Sequence, residues 1–81
     1  MKYPHIQSVI PKENFNLFIV FDNDEKRLYD TSRLFDKEMF APLKNKKIFR
    51  EVKIEKGGYA ISWDNDIDIS EYELWKNGEK L

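Results

Sequence analysis

Cysteine is absent from the 81-residue sequence, which excludes disulfides, thiolate nucleophiles and thiolate zinc sites. Histidine is nearly absent. His5 stands alone, so a histidine-based zinc site or a histidine-rich catalytic cluster is excluded. Any Ser–His pair would have to draw His5 toward Ser8, Ser32, Ser62 or Ser70, and none of these serines lies in nucleophile-elbow spacing. His5 is expected to be a partly exposed strand residue. The only glycines are Gly57, Gly58 and Gly78, too few and too scattered for a phosphate-binding loop. No window approaches the ~18 consecutive apolar residues of a membrane span. The start, Met1-Lys2-Tyr3-Pro4-His5, lacks the apolar run of a signal peptide. A cytoplasmic protein without a membrane partner is the expectation.

What is present describes a small folded domain. Apolar residues make up 41% of the chain and aromatics 15%, enough to argue against disorder. Six Phe, four Tyr and two Trp supply much of the core. A domain this small buries only about 60% of its unfolded surface, so those rings carry a large share of the stability. Net charge is −1, but the charge is segregated. Residues 33–56 carry eight basic and four acidic side chains, and residues 57–81 carry two basic and six acidic ones.

Two strand–turn–strand units enclose a broken helical stretch. A first strand over His5–Ile10 is stopped by Pro11, which cannot donate to a sheet ladder. Phe15, Leu17, Ile19 and Phe21 alternate on one face of a second strand, while Phe18 and Val20 occupy the other. Apolar residues on both faces mark a central or covered strand. The hairpin turns at Asp22-Asn23-Asp24 into a third strand, Lys26–Asp30. A two-residue turn at Asn23-Asp24 would set Ile19 against Leu28 and Phe18 against Tyr29, and an added bulge would shift this pairing by one. Asp30, Thr31 and Ser32 are N-caps for a turn at Arg33-Leu34-Phe35, and Asn45 can cap another through Phe49. Ala41 precedes Pro42 and resists helical geometry, so short turns pinned by Leu34, Phe35, Phe40, Leu43 and Phe49 are expected rather than one helix.

Val52 and Ile54 point inward from a fourth strand. Gly57-Gly58 reverses the chain, and Tyr59, Ile61 and Trp63 line one face of a fifth. Asp64-Asn65-Asp66 turns into a brief strand, Ile67–Ile69. The last helix carries a capping box, Ser70 with Glu73, and a hydrophobic staple, Ile69 with Leu74. Gly78 terminates it. The fold class that follows is α+β: one domain over residues 1–81 with its core at 5–76 and a frayed tail at 77–81. Its mainly antiparallel sheet has five to six strands, with helical turns after the third strand and a C-terminal helix.

Candidate sites are sparse. Asp64-Asn65-Asp66-Ile67-Asp68 opens like a calcium loop, with oxygen ligands at alternate positions. The glycine position is Ile69 and the bidentate glutamate position is Trp75, so an acidic turn is the better reading. Lys44, Lys46, Lys47, Arg50 and Lys53 form a basic run suited to phosphates, but a pI near 5.8 is low for a dedicated nucleic-acid binder. Phe18 and Tyr29 would form an apolar contact patch if nothing covers their face, and Tyr72 and Trp75 of the last helix would either seal or extend it. No catalytic residue, metal ligand or cofactor is expected.

Ile6-Gln7-Ser8-Val9, Leu17-Phe18-Ile19-Val20-Phe21-Asp22-Asn23, Tyr29-Asp30, Phe40-Ala41-Pro42-Leu43, Phe49-Arg50-Glu51-Val52 and Trp63-Asp64-Asn65-Asp66-Ile67-Asp68-Ile69 run in one order along the chain. In this it resembles a family of small bacterial proteins, domain of unknown function 2442. Asp24 and Asp66 stand where that family often has a hairpin glycine. The resemblance implies an α+β domain and brings no catalytic residues. Some relatives are joined to a helix-turn-helix segment, and some are encoded beside another small protein in toxin–antitoxin-like pairs. The leading expectation is a non-catalytic interaction or regulatory module, such as the antitoxin-like member of a two-protein system, with a protein partner or a second copy. Alternatives are nucleic-acid binding through residues 44–56 and a small metal-dependent enzyme using the Asp64–Asp68 carboxylates.

Overall fold

The alternation at Leu17, Ile19 and Phe21 builds the centre of the molecule. The computed structural model describes residues 4–63 and 67–81. The chain begins with β1 (Ile6–Pro11), which pairs antiparallel with β2 (Asn16–Phe21), and β2 pairs antiparallel with β3 (Lys26–Asp30). Leu17, Ile19 and Phe21 are fully buried. Phe15 stands before β2 rather than in it, and both Asn14 and Phe15 have positive φ (59° and 62°).

The β2–β3 hairpin realises the bulged alternative. Its loop is the three residues Asp22-Asn23-Asp24: the Asp24 amide donates to the Phe21 carbonyl (3.0 Å) and the Phe21 amide donates to the Glu25 carbonyl (2.9 Å). Asp24 takes the left-handed conformation (φ 69°) that such loops require. One extra loop residue moves every pairing by one. Leu17 therefore faces Tyr29, Phe18 faces Leu28, and Ile19 faces Arg27. A one-residue slip exchanges the faces, so Tyr29 and Arg27 go inside while Leu28 joins Phe18 outside. The pairing of Phe18 with Tyr29 is thus corrected.

Short turns follow, as the X–Pro step demands. The Asp30 carboxylate accepts from the Ser32 amide (2.9 Å) and caps a 3₁₀ turn, Thr31–Leu34. A second 3₁₀ segment, Glu38–Lys44, contains Pro42 and buries Phe40 and Leu43. Asn45 accepts from the Lys47 amide (2.9 Å) and caps α1 (Lys46–Phe49).

The chain then forms β4 (Lys53–Ile54), β5 (Ala60–Trp63) and β6 (Ile67–Ser70). Gly57 and Gly58 reverse it with φ of 88° and 75°. A side chain at Gly58 would lie 2.7 Å from the Ile6 carbonyl oxygen, so glycine is needed both for the turn and for its approach to β1. Ile61 and Trp63 are buried, but Tyr59 is 59% exposed and not on their face, because it precedes the strand with helical dihedrals.

Helix α2 (Glu71–Asn77) starts at Ser70, whose hydroxyl accepts from the Glu73 amide (3.2 Å). Half of the capping box is present. The Glu73 carboxylate is instead used by Tyr29 and Asn77. The segment after Gly78 does not fray: Glu79–Lys80 form β7, antiparallel to β3 opposite Leu28 and Arg27. Among the described residues the strands form two antiparallel sheets, β1-β2-β3-β7 and β4-β5-β6, rather than one of five to six strands. The α+β architecture with short turns and a C-terminal helix stands. The core lies between the inner faces, where Ile6, Leu17, Ile19, Phe21, Tyr29, Trp63 and Leu74 meet.

Candidate functional site

The register of β2 and β3 defines the surface of greatest interest. Ile10, Phe18, Leu28 and Glu79 are successive cross-strand partners, so three apolar side chains form one row across the outer face of the four-stranded sheet. Val20, two residues from Phe18, thickens the row between Ser8 and Lys26. Ile10 is 45% exposed, and Phe18, Val20 and Leu28 are half-buried. None of the four belongs to the core or to the half-buried residues packed on it. Cross-strand neighbours shield them from one another. The Lys12 ammonium lies 5.9 Å from the Phe18 ring centroid at the edge of the row.

The four side chains expected at a partner surface separate. Phe18 is on this face. Tyr29 is fully buried on the opposite one, where its hydroxyl donates to Glu73 Oε2 (2.7 Å). Burial first, then the Glu73 carboxylate, pushes its phenol well above the ordinary tyrosine range. Trp75 is also an inner residue. It is wedged between the Arg27 guanidinium, 3.9 Å from its ring centroid, and the edge of Phe21 at 5.2 Å. Tyr72 is 39% exposed on α2, with the Lys76 ammonium 5.4 Å from its ring centroid. The helix thus seals the inner face with Leu74 and Trp75 and leaves the outer face uncovered.

Arg27 is a buried charge, 6% exposed. Its neutralising contacts explain its place: Nε donates to the Trp75 carbonyl (3.2 Å), and an Nη donates to Glu25 Oε1 (3.0 Å) and the Lys26 carbonyl (3.0 Å). A buried guanidinium needs such partners. It clamps the end of α2 onto β3.

The basic candidates do not form a stripe. Lys44, Lys46, Lys47, Arg50 and Lys53 are all exposed. Lys46 and Arg50, one turn apart, line a cavity of about 280 Å³ together with Lys12, Glu13, Asn14 and the rings of Phe15 and Phe49. Lys44 and Lys47 do not line it, and Lys53 lies on β4 opposite Ser62. Lys12 could not be placed there from the sequence, because it is distant from Lys46 along the chain. A wider groove of about 610 Å³ runs between the turns after β3 and the β6–α2 junction, with Arg33 and Lys37 on one side and Asp68 and Glu73 on the other.

His5 is half-buried. Its Nδ1 lies 2.8 Å from Glu71 Oε2, and Tyr59 meets its ring edge-on with centroids 4.5 Å apart. Asp64, Asn65 and Asp66 of the calcium-like motif lie outside the described residues; Asp68 is exposed on β6. Among the described residues there is no group of three or more histidines and carboxylates arranged to hold a metal ion, and no helix is long and apolar enough to cross a membrane.

Comparison with the curated proteins and with the solved structures finds no match. The family model described as "Protein of unknown function (DUF2442)" matches residues 6–80, nearly the whole chain, and the chain belongs to that family.

Proposed function

We propose that this domain is a non-catalytic interaction module whose working surface is the outer face of the four-stranded sheet. The observation that carries the reading is the row Ile10–Phe18–Leu28, thickened by Val20. A contiguous apolar patch on a small domain marks a contact site. One feature supports a non-catalytic role: the buried ionisable groups, Tyr29 and Arg27, hold α2 on the sheet.

The occupant that fits is a second apolar protein face laid flat across the sheet. Sheet faces pack at about 10 Å with interdigitating side chains, and the Ile10–Phe18–Leu28 row offers the ridge for such packing. The finer form of the proposal is the regulatory, antitoxin-like member of a two-protein bacterial system. It draws on the family resemblance and on the apolar row together.

Sedimentation of the purified protein, and co-purification with the product of the neighbouring gene, tests this. A dimer or a one-to-one complex that Phe18→Asp dissociates is the expected result. A strictly monomeric protein that captures nothing, or a complex indifferent to Phe18→Asp, would overturn the proposal.

A further inference from the structure

We infer that the cavity between the β1–β2 turn and α1 binds a small phosphate monoester. Three cationic residues line it, Lys12, Lys46 and Arg50, with one carboxylate, Glu13; the Lys12 ammonium also lies 5.9 Å from the Phe18 ring centroid, at the rim. Three positive charges less one negative give a local charge of +2 in a protein whose net charge is −1. A phosphate monoester is a dianion near neutral pH, so charge and site match. The guanidinium of Arg50 presents the fork geometry that takes two phosphate oxygens, while lysines act as point charges on the third. Among the described residues neither Lys46 nor Arg50 makes an ion pair, so these donors are not already used within the fold.

The exposed lining is mostly polar, and the aromatic floor beneath it is largely covered: Phe49 is 3% exposed and Phe15 is half-buried. Phe15 and Phe49 form the inner surface, edge to face with centroids 5.5 Å apart. Two backbone features place Phe15 there. Its φ of 62° is one that bulky residues avoid, and its carbonyl accepts from Thr31 Oγ1 at 2.7 Å. The cavity of about 280 Å³ is at the lower end of small-ligand sites. The size and charge favour a compact ligand over a nucleic-acid strand. A polymer requires cations along a track, whereas Lys44, Lys47 and Lys53 lie outside this cluster. Lys12 borders both this site and the Phe18 end of the sheet face, whereas Lys46 and Arg50 line the cavity and lie off that face, so substitutions at these two test the site independently of the interaction proposal.

Amide chemical shifts of the full chain, followed during titration with inorganic phosphate, phenyl phosphate and single-stranded oligonucleotides, decide the matter. Shifts confined to residues 12–15 and 46–50 are expected, with a Kd on the order of 1 mM for inorganic phosphate. Phenyl phosphate should bind at least as tightly, since its phosphate oxygens meet the same cations. Affinity should rise across the second phosphate ionisation near pH ~6. Lys46→Gln or Arg50→Gln should each weaken phenyl phosphate roughly tenfold, the low end for a charged hydrogen bond. Both positions are exposed, so thermal unfolding should not change, and this separates loss of the site from loss of the fold. Absence of localised shifts, binding indifferent to both substitutions, or oligonucleotide affinity that grows with length and exceeds that of phenyl phosphate would each overturn the inference.

Discussion

Replacing Tyr29 with phenylalanine separates a residue that holds the core from one that faces a partner. The change deletes a single O–H···O⁻ bond, 2.7 Å to Glu73 Oε2, and leaves the ring in place. A hydrogen bond to a charged group is worth about 1.5–3 kcal/mol. Glu73 lies in the first turn of α2, where it is half-buried and water can replace the lost donor, and its other oxygen keeps the Asn77 amide at 2.9 Å. The low end therefore applies: a loss of about 1.5 kcal/mol, or roughly 6–12 °C in Tm for a domain of this size. The pH dependence gives a second readout. Burial and the Glu73 carboxylate raise the folded-state pKa of this phenol above its unfolded value. The contribution of Tyr29 is then complete below the unfolded pKa of about 10 and is lost as pH rises toward the folded one. Denaturant melts at pH ~7 and ~9 should show the same gap between wild type and Tyr29→Phe. At pH ~11 the gap should narrow, by up to about 1.4 kcal/mol per pH unit. Equal midpoints at neutral pH, with parallel curves into alkali, would refute the burial of Tyr29 and return it to the outer face.

Asp24→Gly should raise stability by about 0.5–1 kcal/mol, seen as a higher urea midpoint, because glycine adopts the left-handed conformation of Asp24 without steric cost. Trp75→Ala should cost about 3 kcal/mol by removing the ring between Arg27 and Phe21, while Tyr72→Ala on the exposed side of α2 should cost less than ~1 kcal/mol. Equal costs in thermal melts would mean that the helix faces the sheet differently. Truncation after Gly78 should speed amide exchange at the β3 positions opposite Glu79 and Lys80 and lower stability by about 1 kcal/mol. Unchanged exchange would mean that this tail does not pair.

The features legible in the sequence are those decided locally. The period-two run through Leu17, Ile19 and Phe21 needs only the pleat. The caps at Asp30, Asn45 and Ser70 need only a side-chain oxygen within reach of the next two or three amides. The features that escaped depend on one residue or on distance. The hairpin register turns on whether the loop holds two residues or three, and both Asn23 and Asp24 tolerate the conformations that either loop needs. That single residue carried Leu28 into the apolar row and Tyr29 out of it. Arg27 escaped because a charged residue reads as exposed until its partners on Trp75 and Glu25 are in view. The two-residue β7 has no periodicity to detect. The cavity joins Lys12 to Lys46 and Arg50 through tertiary packing, which a local basic run does not report.

The edges of the larger sheet bear on how this molecule associates. An exposed edge strand is a template for pairing with another chain, and proteins blunt it with proline, bulges, charge or shortness. Here both edges are treated. Strand β1 ends in Pro11, which offers no amide, shifts register between Ile6 and Ser8, and is approached at Ile6 by Gly58. Strand β7 is two residues long, and both are charged. With the edges of the larger sheet blunted, the apolar surface that this sheet presents is its outer face, where Ile10, Phe18, Val20 and Leu28 lie together; the exposed Met39, Tyr59, Tyr72 and Leu81 lie outside this row. A charge placed at the centre of that face should therefore abolish association while leaving the fold intact. Phe18→Asp removes no core contact, since the Phe18 ring lies outside the buried cluster, and its stability cost should stay at ~2 kcal/mol, from partial burial and strand preference. A cost of several kcal/mol would instead place Phe18 in the monomer's own core and remove the basis for a partner surface.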